Sequence, residues 1–464
     1  MCPQNPLPHM PTSPAGAPQP QPPVPPPSAL PAPAPADPSA PVFPRYRWVI
    51  VALLCSIYPL NSFVSLSIGV LLPYIRDDIT ITNSQAGILS GAAFIASIFL
   101  SIPAALFVVR MRAKWVFAAA IGSIAAVLFL HSLASVFVTI LLARLLFSIT
   151  GSVTQPAISM LRTQWVPKRE SALVGGLQMA AQNVGQSIAL VAIPFLVGAL
   201  NGWRLIYVVY GCMAIFLFIL WLFFGKERGI QEYAPEGVRT NGPRLKQRVR
   251  ETAIEYLQPL RAALRYKEFW LVALSNLGNI LPFIAIITFW PTFLIEDRGI
   301  TRGQAAMLMA FLPVGGLAAS VLNSYLSDRV GLRRPFIWPA GVISPIVYVC
   351  MVQSLPIPAL AALSFLAGYL CYSPLGPLQG ILYELPGIKP REIASGYAFS
   401  LSVGSLSFVL GPILAGFLAD NLSGGLRLAL MLSAIGPIGV VIAGLGMRET
   451  GWRRPQPPTS TSRR

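Results

Sequence analysis

Apolar residues in this chain recur in runs of 18 or more between short polar clusters, not at the amphipathic period of a soluble helix or strand. A run of that length matches the hydrocarbon thickness of a bilayer. Read against their breakers, the runs predict helices over 48–72, 86–109, 115–134, 136–160, 171–200, 203–224, 269–294, 304–326, 335–353, 357–383, 393–419 and 427–447. The pattern predicts an all-α integral membrane protein with 12 transmembrane helices.

Composition agrees, because 54% of the 464 residues are hydrophobic and only 11% charged, against roughly 25% charged in soluble domains. A soluble globular enzyme is excluded. The net charge of +17 raises the question of a nucleic-acid partner. No such partner is expected, since the basic residues lie in short clusters between apolar runs and not on one folded face. Of the 34 Lys and Arg, 28 fall in the tails and even-numbered loops and five on the other side, at Arg76, Arg204, Arg298, Arg302 and Arg427. Arg144 remains, inside a span. This bias predicts cytoplasmic termini and a multi-pass protein of the plasma membrane.

Residues 1–44 hold 18 of the 44 prolines and are read as a disordered or polyproline II tail. A second reading makes this tail a ligand for a partner domain. It lacks the pattern of a cleaved signal, so the first span is expected to act as the insertion signal. Cys55, Cys212, Cys350 and Cys371 lie inside apolar runs and Cys2 in the tail, with no CxxC and only His9 and His131 beside them. Neither a disulfide framework, a metal site nor a cofactor is indicated.

Short segments return in order at 218–222 residue spacing. Thr82-Asn83-Ser84-Gln85 and Thr301-Arg302-Gly303-Gln304 each read as a capping box at a helix start. Arg169-Glu170-Ser171-Ala172 returns as Arg391-Glu392-Ile393-Ala394, and Pro194 to Leu200 returns as Pro412 to Leu418. Six helices per half give both halves the same orientation, the parallel-repeat arrangement. The expected division is a tail (1–44), a first bundle (45–224), a basic cytoplasmic linker (225–268), a second bundle (269–448) and a tail (449–464). Within the linker, Leu245, Val249, Leu257, Leu260 and Leu264 recur at helical spacing among basic residues. They predict an amphipathic helix on the membrane surface, with a regulatory role as the second reading.

Two six-helix halves, a basic central loop and Leu326-Ser327-Asp328-Arg329-Val330-Gly331-Leu332-Arg333-Arg334 resemble the major facilitator superfamily over residues 45–448. That loop fits the family's G-x-L-a-D-R-x-G-R-R motif apart from Ser324 in the first glycine position. The first-half copy, Ala104 to Lys114, keeps Leu106, Arg110, Arg112 and Lys114 but has Val108 where the aspartate belongs. The resemblance implies that Asp328, Arg329, Gly331, Arg333 and Arg334, with Arg112 and Lys114, form a cytoplasmic latch. A static ion pair at Asp328 and Arg329 is the alternative. Arg144 with Gly151 resembles the family's fourth-helix R-x-x-x-G pattern, with Ser148 in the first glycine position. Gly185 is followed by Gln186, so the Gly-Pro motif of drug antiporters is absent.

In such an architecture helices 1, 4, 7 and 10 line the cavity. The expected substrate-binding residues are Asn61 and Ser65 on helix 1, Arg144, Ser148 and Gln155 on helix 4, Asn276 and Asn279 on helix 7, and Tyr369, Tyr372 and Gln379 on helix 10. For Arg144 both a substrate or conformational role and a packing role on backbone carbonyls stand; for the amides and hydroxyls so do binding and interhelical hydrogen bonding. All 17 acids fall in tails, loops or helix ends, so the one charge in a span is positive. These features predict a non-enzymatic transporter of a small solute, an anion in the leading reading, working as a monomer in the bilayer. Efflux of hydrophobic compounds and a non-transporting sensor are the alternatives.

Overall fold

The computed structural model describes residues 45–108, 111–167, 170–200, 202–227, 258–385, 387–388 and 390–451. The Pro-rich tail, most of the linker with its expected surface helix, and residues 452–464 lie outside them. The first half comprises α1 (Arg47–Asp78), α2 (Asn83–Val108), α3 (Ala113–Ser132), α4 (Phe137–Trp165), α5 (Ser171–Leu200) and α6 (Trp203–Phe224). The second comprises α7 (Lys267–Glu296), α8 (Arg302–Val330), α9 (Trp338–Met351), α10 (Ile357–Tyr372), α11 (Leu375–Tyr383), α12 (Pro390–Asn421), α13 (Gly425–Ser433) and α14 (Ile438–Gly446). Among the described residues, 11 segments are long and apolar enough to cross a membrane, α10–α11 and α13–α14 each counting as one. The 30-residue α5, which carries no charged side chain, supplies the twelfth crossing.

The two bundles repeat one packing scheme. In the first, α2 packs on α4, α1 on α5 and α3 on α6; in the second, α8 packs on α10, α7 on α12 and α9 on α14. Between halves α2 meets α12, α5 meets α8 and α1 meets α7. Both capping boxes form: Thr82 N–H donates to Gln85 Oε1 at 3.0 Å while Gln85 N–H donates to Thr82 Oγ1 at 3.2 Å, and Thr301 and Gln304 repeat the exchange. A further correspondence appears in three dimensions. Glu227, just past α6, accepts from the Ala113 amide at 2.8 Å, and Glu449, just past α14, accepts from the Arg333 and Arg334 amides at 2.7 and 3.0 Å. Each carboxylate satisfies orphan donors where the third span of its own half begins.

The tenth and twelfth crossings are broken. Pro374 and Pro377 have no N–H to give to the Leu370 and Ser373 carbonyls, and the carbonyls around the break find side chains instead, Leu370 O receiving Ser373 Oγ at 3.3 Å. Asn279 Nδ2 donates to Cys371 O at 2.6 Å and Asn323 Nδ2 to Ser373 O at 2.5 Å.

Candidate functional site

The two ends of the bundle are held differently. At the end opposite the chain termini, the halves are joined by charge. Arg76 Nη1 donates to Glu296 at 3.0 and 3.1 Å and its Nη2 to Asn83 Oδ1 at 2.6 Å. Arg302 Nη2 donates to Asp77 at 2.8 Å, with its guanidinium 4.3 Å from the Tyr74 ring centre. Asp420, at the end of α12, receives the Asn83 amide at 3.1 Å, Asn83 Nδ2 at 2.9 Å, the Ser84 amide at 2.7 Å and Ser84 Oγ at 2.6 Å. A carboxylate from one half thus caps a helix of the other. Beneath it Gly87 faces the Pro412 carbonyl so closely that a Cβ would overlap it, and Phe94 meets Phe408 at 4.8 Å.

At the terminal end the described ion pairs each stay within one half: Arg47 with Glu170, Arg112 with Glu227, Arg333 with Asp328 and Glu384, and Arg448 with Glu268. Arg333 is the centre of the predicted latch loop. It reaches Asp328 at 2.5 Å and Glu384 at 2.6 Å, and Glu384 also receives Thr450 Oγ1 at 2.7 Å. Partial burial pushes the Glu384 carboxyl up, but the hydrogen bonds from Arg333 and Thr450 outweigh it and hold the group below its ordinary value. Hydrogen bonding to Glu384 correspondingly raises the Arg333 guanidinium. Asp328 therefore pairs with Arg333, whereas Arg329 is exposed. Gly331 closes α8 in the left-handed conformation at φ 71°, and Arg334 donates to the Gly444 and Leu445 carbonyls. Val108, in place of the first-half aspartate, is fully buried.

Arg144 is wholly enclosed, with partners from α1. Its Nη1 donates to Val64 O at 2.6 Å and its Nη2 to Ser67 Oγ at 3.0 Å, and Ser67 Oγ lies 2.9 Å from Tyr207 Oη. The buried His131 ring stacks on Tyr207 at 4.9 Å. No carboxylate joins Arg144 among the described residues, and its Nε has no partner. Ser148 Oγ accepts from the Ala96 amide of α2 at 2.8 Å. Asn276 packs on Gly404 of α12, Asn279 holds the broken tenth span, and Tyr372 meets Phe283 edge-on at 6.0 Å and covers Gly316. Asn61, Ser65 and Tyr369 are half-buried.

Gln155 and Gln379 are exposed although they lie inside spans. Gln379 Nε2 donates to Tyr397 Oη at 2.5 Å, and Gln155 lies beside Tyr58. Near that second pair stands a residue the sequence reading left in a loop. The fourth span was expected to end at 160; α4 runs to Trp165, so Arg162 belongs to its last turn. Arg162 is half-buried and its Nη1 donates to Gln178 Oε1 of α5 at 3.2 Å. Among the described residues no carboxylate pairs with it. Tyr58, Gln155, Arg162 and Gln178 thus form a polar cluster from α1, α4 and α5 around an unneutralised guanidinium.

The sequence model of the Major Facilitator Superfamily matches residues 54–379 and, in a second alignment, 272–463. The chain belongs to the Major Facilitator Superfamily. Among curated members, it is 23% identical over 407 residues to a probable sulfoacetate transporter of Cupriavidus necator, covering 84% of this chain and 91% of that one. It is 20% identical to a hexuronate transporter of Bacillus subtilis (86% and 95% covered). It is 23% identical to a 4-hydroxybenzoate transporter of Pseudomonas putida (86% and 93% covered). Among solved structures, a bacterial homologue of the human lysosomal transporter Spinster, captured inward-facing and unoccupied, superposes with a TM-score of 0.72 at 19% identity. The superposition covers 86% of this chain and 97% of that one. Superfamily membership makes this a membrane transport protein for small solutes.

Proposed function

We propose that the protein carries a small organic or inorganic anion across the plasma membrane by alternating access, as a monomer, with its termini in the cytoplasm. The observation that carries this reading is the pair of α4 arginines, Arg144 and Arg162, neither with a carboxylate partner among the described residues. A guanidinium fork binds planar oxyanions in bidentate fashion and does not release its proton at physiological pH. Arg162, with Tyr58, Gln155 and Gln178, is the proposed contact for the anion. Arg144 supplies positive potential deeper in the same half and ties α4 to α1. Facing them, Asn61, Ser65, Tyr369, Tyr372 and Gln379 are proposed cavity groups. Asn276, Asn279 and Ser148 act through the helix contacts they make. The names of the sulfoacetate, hexuronate and 4-hydroxybenzoate transporters support an acidic cargo. Asp420 and Glu384 stay at helix ends, which supports exchange, uniport or a proton carried on the substrate over a buried titrating acid. With the termini inside, the charge-joined end is extracellular, which supports an inward-facing reading of this state.

The test is thermal stabilisation of purified protein by carboxylates and sulfonates, neutral solutes and cations, since a ligand that binds the native state raises its stability. Anions are expected to stabilise the wild type. Arg162→Gln is expected to weaken them by about 2 kcal/mol or more, some thirtyfold in Kd. Anion stabilisation unchanged in Arg162→Gln, or stabilisation by neutral lipophiles alone, would overturn the reading in favour of efflux, for which the Phe283–Tyr372 contact is the supporting feature.

A further inference from the structure

A pocket of about 360 Å3 opens at the start of α7, lined by Arg265, Tyr266, Lys267, Glu268, Leu385 and Arg448. It belongs to the second half and shares no residue with the Arg162 cluster. Arg265, Lys267 and Arg448 are all exposed, whereas Glu268 is 3% exposed and reaches Arg448 only at 3.8 Å. Three cations against one carboxylate leave the lining with an excess of positive charge. The start of α7 lies in the same lining: Tyr266 at its N-cap makes no side-chain cap, and the positive end of the helix dipole adds to the potential there.

The level of the pocket in the bilayer is marked by Trp270 in the first turn of α7. Its ring is 52% exposed, its indole N–H donates to Leu264 O at 3.0 Å, and it packs edge-on against Phe399 at 4.9 Å. An amphipathic ring anchored this way at the end of an apolar helix sits among lipid headgroups. Basic pockets at that depth recognise phosphate. Arg265, Lys267 and Arg448, all exposed, are available to an anion at this lining, with Arg448 Nε 3.8 Å from the buried Glu268. A metabolite carboxylate has no comparable reason to concentrate at this depth; a lipid phosphate is present there at all times.

We propose that this pocket binds the phosphate of an anionic phospholipid headgroup, chemistry it shares with free phosphate, independently of the transported solute. The test uses the full chain in a neutral detergent, with phosphatidylglycerol, phosphatidylcholine or inorganic phosphate added. Thermal stabilisation and lipid retention by native mass spectrometry are the readouts. Phosphatidylglycerol is expected to stabilise the wild type where phosphatidylcholine does not. The half-maximal concentration should rise about a hundredfold in Arg265→Gln/Lys267→Gln/Arg448→Gln, at about fivefold per cation, with one fewer retained lipid. Arg45→Gln/Arg261→Gln, exposed cations outside the lining, should match the wild type. If inorganic phosphate alone gives the cation-dependent stabilisation, the phosphate site holds and its source is soluble, which overturns the lipid assignment. Equal stabilisation of wild type and triple variant, or by both lipids, overturns the site. Should the triple variant fail to fold, Arg448→Gln alone is expected to shift the midpoint about fivefold, and no shift there overturns the proposal equally.

Discussion

Asp420 receives amides 337 and 336 residues away in the chain, on a helix of the other half. Glu449 receives amides 116 and 115 residues away, at the start of a span in its own half. Both are carboxylates satisfying backbone donors at a helix or loop start, at opposite ends of the bundle, and they have opposite consequences. A cap that crosses between halves must be given up whenever the halves separate there, so its strength sets the population of the closed end. A cap within one half survives any rocking motion and makes that half a rigid body. Of these two caps, one is therefore conformational and the other architectural.

The largest effect is expected where the crossing contact is made of backbone. In Gly87→Leu the side chain would occupy the space of the Pro412 carbonyl, and overpacking of this kind costs about 1–3 kcal/mol. Uptake into proteoliposomes should fall by about tenfold or more, while Gly198→Ala, with open space at its Cβ, transports normally. Equal uptake by the two variants would break the comparison at its strongest point.

Asp420→Asn keeps the shape and loses the charge, and a cap of this kind is worth about 0.5–2 kcal/mol. Hydrogen exchange at the Asn83 and Ser84 amides should speed by about two- to thirtyfold. In Glu449→Gln faster exchange should be confined to the amides this carboxylate receives, those of Arg333, Arg334, Thr450 and Gly451, leaving Asn83 and Ser84 as in the wild type. Acceleration at both ends in either variant would mean that the two caps are not separable.

The smallest effect is a pH dependence at the terminal end. The Glu384 carboxyl titrates lower in the folded protein than its ordinary 4.5. Its contribution is therefore complete above that value and is lost as pH falls through the lower folded-state value. Thermal stability should fall in acid over that window as the bonds from Arg333 and Thr450 Oγ1 are lost, and Glu384→Gln should remove the dependence. A fall that persists in the variant would assign it to another group.

Much of this was legible in the sequence because a bilayer imposes length and sign. Apolar runs and the Lys/Arg alternation marked the 12 crossings and both capping boxes, since those signals are local in the chain. The breaks were only half legible. Pro374 announces that helix 10 bends, but nothing nearby says that Asn279 and Asn323 take up the freed carbonyls. For Asn279 and Arg144 the sequence leaves both a cavity role and a packing role on backbone carbonyls open, and the contacts with Cys371 O and Val64 O are those of the packing role. Arg162 could have been found: it continues the face of Arg144, Ser148, Gly151 and Gln155 by another seven residues, and was missed because the helix was ended at 160, five residues short of Trp165. Asp420 could not, since its partners lie more than 300 residues away.

Glu227 and Glu449 stand 222 residues apart and perform the same task, each on the residues that follow the sixth crossing of its half. The repeating unit therefore does not stop at its last helix: it includes a carboxylate folded back on the start of its own third crossing. A split version of this protein expressed as two separate chains should be cut after Glu227, so that each fragment keeps this clasp.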